Sequence, residues 1–123
     1  MNYIGSFFLA FGLLLLVDAL YLSIISKSAM RMFRLIQGSA VEFNYVAAAI
    51  VYAALAYLVT LPSLTTTLKA AMMGGAVYAV YDFTNLANFK DYTVKFAVMD
   101  TFWGAALFAI VHKLHGKIER RLE

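Results

Sequence analysis

The chain has 123 residues, 63% of them hydrophobic and 14% charged, with a formal net charge of +3 and a mean hydropathy of +0.78. A soluble domain of average composition carries about 25% charged residues, and so short a chain could not cover this much apolar surface in water, so composition points to a membrane. Cysteine is absent, which excludes a disulfide framework and a thiolate metal site and leaves the redox compartment open.

No Pro/Gly/Ser linker and no low-complexity tract interrupts the sequence, so a single domain over residues 1–123 is expected. The basic residues lie outside the apolar segments and form no stripe interleaved with exposed aromatics. They suit lipid headgroups and argue against nucleic acid.

Apolar runs of about 20 residues predict four membrane-spanning helices, an all-α membrane protein built as an antiparallel bundle. The first span covers residues 3–25. It lacks a basic leader, contains Asp18 and is longer than a signal-peptide core, so a retained helix is expected. Residues 27–40, with Lys27, Arg31 and Arg34 between Met30, Met32, Phe33 and Ile36, predict an amphipathic connection lying on the membrane surface. The second span covers residues 41–61 and stops at Pro62. Ser39 and Glu42 have capping-box spacing at its start.

The third span, residues 68–87, follows the turn Ser63-Leu-Thr-Thr-Thr67, and the fourth covers residues 93–111. Beyond it, Lys113, Lys117, Arg120 and Arg121, with His112 and His115, predict a solvated or headgroup-contacting helix end. With alternating helices, five basic residues fall on each side (Lys69, Lys113, Lys117, Arg120 and Arg121 against Lys27, Arg31, Arg34, Lys90 and Lys95), so charge bias does not orient the chain.

Asp18, Asp82 and Asp100 each sit inside an apolar span. A carboxylate near the middle of a spanning helix costs roughly 2.5–3.5 kcal/mol on insertion scales, so it is normally kept facing the protein interior. Asp18 and Asp82 lie just past the midpoints of parallel helices, and Asp100 just before the midpoint of an antiparallel one. At about 1.5 Å per residue, all three fall within roughly 5 Å of the midplane, on the side of the 27–40 and 88–92 connections. Ala71, Gly75 and Ala79 make a small-residue stripe leading to Asp82, and Ala97, Asp100 and Gly104 share one face.

The expected ligand or proton site is therefore Asp18, Asp82, Asn85 and Asp100, with Tyr21, Asn44, Tyr81, Thr84, Asn88 and Trp103 as its rim. Glu42 also lies in that half of the membrane, and Tyr92 reads as an interfacial or packing aromatic. No catalytic spacing is present, so no catalytic residue or cofactor is assigned. Oxygen ligands alone would suit Mg²⁺ or Ca²⁺ better than zinc, and the metal is left unknown.

The run Val77-Tyr-Ala-Val-Tyr-Asp82-Phe-Thr-Asn85-Leu-Ala-Asn-Phe-Lys90-Asp-Tyr92, followed by Val98-Met-Asp100-Thr-Phe-Trp103-Gly104, resembles the signature of small bacterial membrane proteins catalogued as domain of unknown function 2177. Asp18-Ala-Leu-Tyr21-Leu22 resembles the same family's pattern, which has tryptophan in place of Tyr21. The resemblance implies a four-helix protein of the bacterial inner membrane whose marked residues are those above, and carries no activity with it.

Three functions fit these residues. The first is binding or transport of a cation or polar small molecule at the Asp/Asn cluster, with room for proton coupling. The alternatives are a membrane-embedded lipid-modifying enzyme, with an aspartate as acid or base, and a structural or assembly subunit in which the aspartates fix helix register. The partners expected are the bilayer and a lipid or small-molecule ligand, with a homo-oligomer left open.

Overall fold

Four polar side chains set where the helices begin. Asn2, Asn44, Thr66 and Thr93 each accept a hydrogen bond from the backbone N–H three residues on, at 2.8 to 3.1 Å, satisfying a donor the first helical turn leaves free. The computed structural model describes all 123 residues. They form four helices and no strand: α1 (Tyr3–Gln37), α2 (Tyr45–Val59), α3 (Thr67–Asn88) and α4 (Val94–Leu122).

Two boundaries differ from the sequence reading for a common reason. No glycine or proline separates Ile25 from Gln37, so residues 26–37 continue α1 until Gly38, whose φ of 76° ends the helix in a left-handed cap. Apolar residues of this segment pack inward. Ala29 and Met32 are buried with Tyr92, Phe96 and Ala97, and Phe33 and Ile36 pack beside them. Residues 112–122 likewise continue α4, the single Gly116 not being enough to end it. His115 lies within hydrogen-bond distance of the Ser6 hydroxyl and carbonyl, 3.0 and 2.9 Å away, and His112 within 2.8 Å of the Leu64 carbonyl. The expected solvated tail thus ties α4 to the start of α1 and to the α2–α3 turn.

The capping box is also absent. Asn44 caps α2, while Ser39 takes a hydrogen bond from the Gln37 amide in the turn before it, and Glu42 is exposed.

The pairing is antiparallel. Ser6 meets His115, Asp18 meets Trp103, and Tyr21 meets Asp100, so α1 and α4 run in opposite senses. Gly74 lies against Phe108 while Tyr78, one turn on, lies against Gly104, which sets α3 antiparallel to α4 in the same way. The close approach is at Gly74, one residue from the expected stripe. Ala70 and Gly74 are buried, while Ala71, Gly75 and Ala79 are half-buried.

One core, including Ala10, Leu14, Leu55, Ala56, Ala70, Leu107 and Phe108, fills the end of the bundle nearest the chain termini. A second, around Met32, Tyr92 and Phe96, closes the other. The aspartates lie between them. Outward faces are apolar on every helix: Leu16 and Ile24 on α1, Val46 and Ile50 on α2, Met72 and Val80 on α3, Phe102 on α4. Only 20 of 123 residues are buried, so most apolar surface faces outward. α1 and α4 are long and apolar enough to cross a membrane, α2 is apolar but has 15 residues, and α3 has the length but less apolarity.

Candidate functional site

The sequence carries an Asp-x-x-aromatic pattern twice, Asp18 to Tyr21 on α1 and Asp100 to Trp103 on α4. Residues three apart share a helix face, and the antiparallel register crosses the two pairs. The Trp103 indole donates to Asp18 Oδ1 at 2.8 Å, and the Tyr21 hydroxyl donates to Asp100 Oδ1 at 2.9 Å. Between these bonds the two rings stack, with centroids 4.5 Å apart and planes 7° from parallel. Each aspartate is therefore served by the other helix's aromatic residue.

The network reaches the remaining helices. Tyr52 of α2 donates to Asp18 Oδ2, leaving both oxygens of Asp18 with donors. On α3, Asp82 Oδ1 accepts from the Tyr92 hydroxyl at 2.6 Å, and the carboxyl faces Asp100 and Thr101 of α4. Tyr92 lies in the connection before α4, and burial, followed by its bond to Asp82, pushes its hydroxyl well above the ordinary tyrosine range. It stays protonated and remains a donor.

Burial is nearly complete: Asp82 is 0% exposed, Asp18 6% and Asp100 7%. No lysine or arginine pairs with them, the ion pairs of the chain being the terminal amine with Glu123 and His115 with Glu119. Asp82 Oδ2 and the Thr101 hydroxyl are buried without a hydrogen-bond partner. Unused capacity of this kind is costly in a low-dielectric interior.

Asp100 also borders a groove of about 330 Å³ between α2 and the α3–α4 pair, walled by Val51, Leu55, Val77, Tyr78 and Tyr81. α2 packs mainly on α1 and touches α3 and α4 only lightly, which is why the groove opens there.

The structure brings together Asp18, Asp82, Asp100, Tyr21 and Trp103. Asn85 is half-buried beside the Tyr81 and Tyr92 hydroxyls and makes no hydrogen bond to a carboxylate. Tyr81 lines the groove. Asn44 is spent on capping, and Thr84 and Asn88 face outward, away from the network. No three Asp, Glu or His side chains converge as a metal-binding set. Tyr52, Tyr78 and Thr101 lie at the site without having been expected there, and Tyr92, expected to be an interfacial or packing aromatic, bonds Asp82. The available signal was a phenol inside or beside an apolar span, whose hydroxyl needs a partner once buried.

The donors of Asp18 give a direct test. Tyr52→Phe and Trp103→Phe each strip one buried oxygen of its donor and are expected to destabilise the bundle by about 1–3 kcal/mol. Tyr57→Phe, on the same helix as Tyr52 but exposed, should be neutral. Chemical unfolding in detergent measures all three, and equal stability of the three variants would show that Asp18 does not depend on these bonds.

Fold and site together define a small all-α bundle with an apolar exterior and a buried carboxylate–aromatic network. The chain belongs to the family described as predicted membrane protein (DUF2177), whose model matches residues 3–115. No curated protein and no solved structure matches it.

Proposed function

We propose that this is an integral membrane protein with all four helices in the bilayer, in the bacterial inner membrane, that binds or transports a cation or a cation-headed small molecule and exchanges it against a proton. The four-span reading is supported by the apolar outward face of every helix, α2 being extended by Val41 and Phe43 before it and Leu61 after it. In water such a surface would be an aggregation liability.

The observation that carries the function is Asp100 at the edge of the groove beside Tyr78 and Tyr81. A carboxylate flanked by aromatic faces in a desolvated setting favours a cation both by charge and by cation–π attraction. The apolar walls, Val51, Leu55 and Val77, suit a hydrocarbon portion arriving from the lipid. Asp82, facing Asp100, is the group that takes up the proton displaced from Asp100.

One observation favours the structural reading for a single residue. Asp18 has donors on both oxygens from two other helices, which suits a tie between α1, α2 and α4 better than a ligand site.

The test is calorimetric titration of the purified chain in nanodiscs with dodecylammonium, using dodecanol as the uncharged control. Saturable binding of the amine, with proton release in weakly buffered solution, is expected. Uptake of the amine no greater than by empty nanodiscs would overturn the reading.

A further inference from the structure

A second concavity, of about 210 Å³, lies where the last third of α1 passes the α3–α4 connection. Its floor is apolar, made by Met32 and Phe96, which are buried against Tyr92. Its rim carries Arg31 and Ser28 from α1 and Asp91 and Thr93 from the connection. Arg31 and Asp91 border the same space without forming an ion pair, since the chain's ion pairs lie at its other end.

We infer that this concavity holds the headgroup of a zwitterionic phosphoethanolamine lipid, the phosphate on Arg31 and the primary ammonium on Asp91. Opposite charges that share a recess with an apolar floor yet do not pair fit a ligand carrying both complementary charges, a guanidinium being well shaped for phosphate oxygens. The Ser28 hydroxyl can accept from the ammonium or donate to the phosphate, the Thr93 hydroxyl being engaged in capping α4. Depth agrees with this. Ser28 and Arg31 lie three and six residues beyond the apolar span ending at residue 25, roughly 5–9 Å along the helix and so at headgroup level.

The arrangement discriminates among lipids. A choline headgroup has no N–H to give Asp91, and a phosphoglycerol headgroup has no cation for it. Lys27, Arg34, Lys90 and Lys95 share this end of the molecule and attract any anionic lipid by charge alone, so anionic binding by itself says nothing about the recess. The inference rests on the membrane setting and not on the aspartate network, so either can fail without the other.

Native mass spectrometry of the full chain in detergent, titrated with phosphatidylethanolamine, phosphatidylcholine and phosphatidylglycerol of identical acyl chains, tests it. The ethanolamine lipid is expected to be retained best. Arg31→Ala and Asp91→Asn should each lower that retention by about three- to fivefold, the range for charges that remain partly solvated, and Asp91→Asn should leave phosphatidylglycerol unaffected. Both residues are exposed, and Ser28→Ala, expected to weaken retention less, serves as a variant that preserves all charges. Equal retention of the three lipids by the parent chain, or unchanged preference in both charge variants, would overturn the inference. Displacement of the lipid by free phosphoethanolamine at equal concentration would overturn the lipid as the source of the headgroup.

Discussion

Asp100→Asn and Asp82→Asn are expected to leave the bundle folded while weakening dodecylammonium binding by at least about thirtyfold. Asparagine keeps the shape and one acceptor oxygen, so the Tyr21 and Tyr92 hydroxyls retain their partners, and the stability change should stay within about 1 kcal/mol, the scale of interhelical hydrogen bonds in membranes. What disappears is the charge. Loss of one member of a desolvated charge pair typically costs about 2–5 kcal/mol of binding, and the lower end of that range corresponds to the thirtyfold figure. Asp100→Asn removes the carboxylate that borders the groove. Asp82→Asn removes the group that would accept the displaced proton, and it should abolish proton release even where some binding survives. Asp18→Asn is the contrasting case, expected to affect stability more than binding. If Asp82→Asn and Asp100→Asn both bind the amine as the parent does, the ligand-site reading fails and the assembly-subunit reading takes its place.

The helices were legible because apolar periodicity and terminal punctuation agree at most ends: Pro62 follows α2 and Thr93 caps α4. Convergence of the three aspartates was legible too, since depth along an antiparallel bundle is simple arithmetic in residue number. Two kinds of information were not. A helix does not stop where its sequence turns polar. Residues 26–37 carry charges but no glycine or proline, and residues 112–122 carry charges with only the lone Gly116, which a helix tolerates, so they prolong α1 and α4, and their apolar residues pack on Tyr92, Phe96 and the bundle itself. Helix rotation was ambiguous for a different reason. Ala70-Ala71 and Gly74-Gly75 place small residues in two adjacent registers, and either could have met α4. Only packing against the larger Phe108 and Tyr78 decides between them.

The site partners show a third gap. Of the carboxylate donors, Tyr21 and Trp103 were expected on the rim, whereas Tyr52 and Tyr92 were not, because their bodies look like ordinary membrane aromatics and only their hydroxyls reach the aspartates. The paired Asp-x-x-aromatic spacing was the sequence clue to Tyr21 and Trp103. It becomes readable once α1 and α4 are set antiparallel, because each aspartate then faces the other pair's aromatic residue.

Gly74→Ala should be the most disruptive small substitution in the chain. A Cβ at that position would overlap the Gly104 carbonyl oxygen and lie 2.6 Å from Phe108 Cβ. The first obstacle is backbone, so relief requires α3 and α4 to separate, and these helices form the most extensive pair in the bundle. Overpacking of a well-filled core costs about 1–3 kcal/mol, and the upper part of that range is expected here. Gly75→Ala is the matched control: its Cβ would meet only Ala105 Cβ, at 3.4 Å, and replacing a helical glycine by alanine is otherwise favourable by roughly 0.5–1 kcal/mol. Gly104→Ala separates packing from function. Its obstacle is the Tyr78 side chain, which also walls the groove beside Asp100, so the displaced ring should narrow the groove and reduce amine binding as well as stability. Tyr78→Ala should cost less stability in the Gly104→Ala background than in the parent or in Gly74→Ala, a positive coupling of the kind residues in contact show, and should not restore amine binding, because Tyr78 is itself an aromatic wall of the groove. Unfolding midpoints and amine titrations on these variants, with Tyr78→Ala alone to close the cycle, decide the matter. Equal stability of Gly74→Ala and Gly75→Ala would mean that the glycine contact does not set how closely α3 and α4 approach.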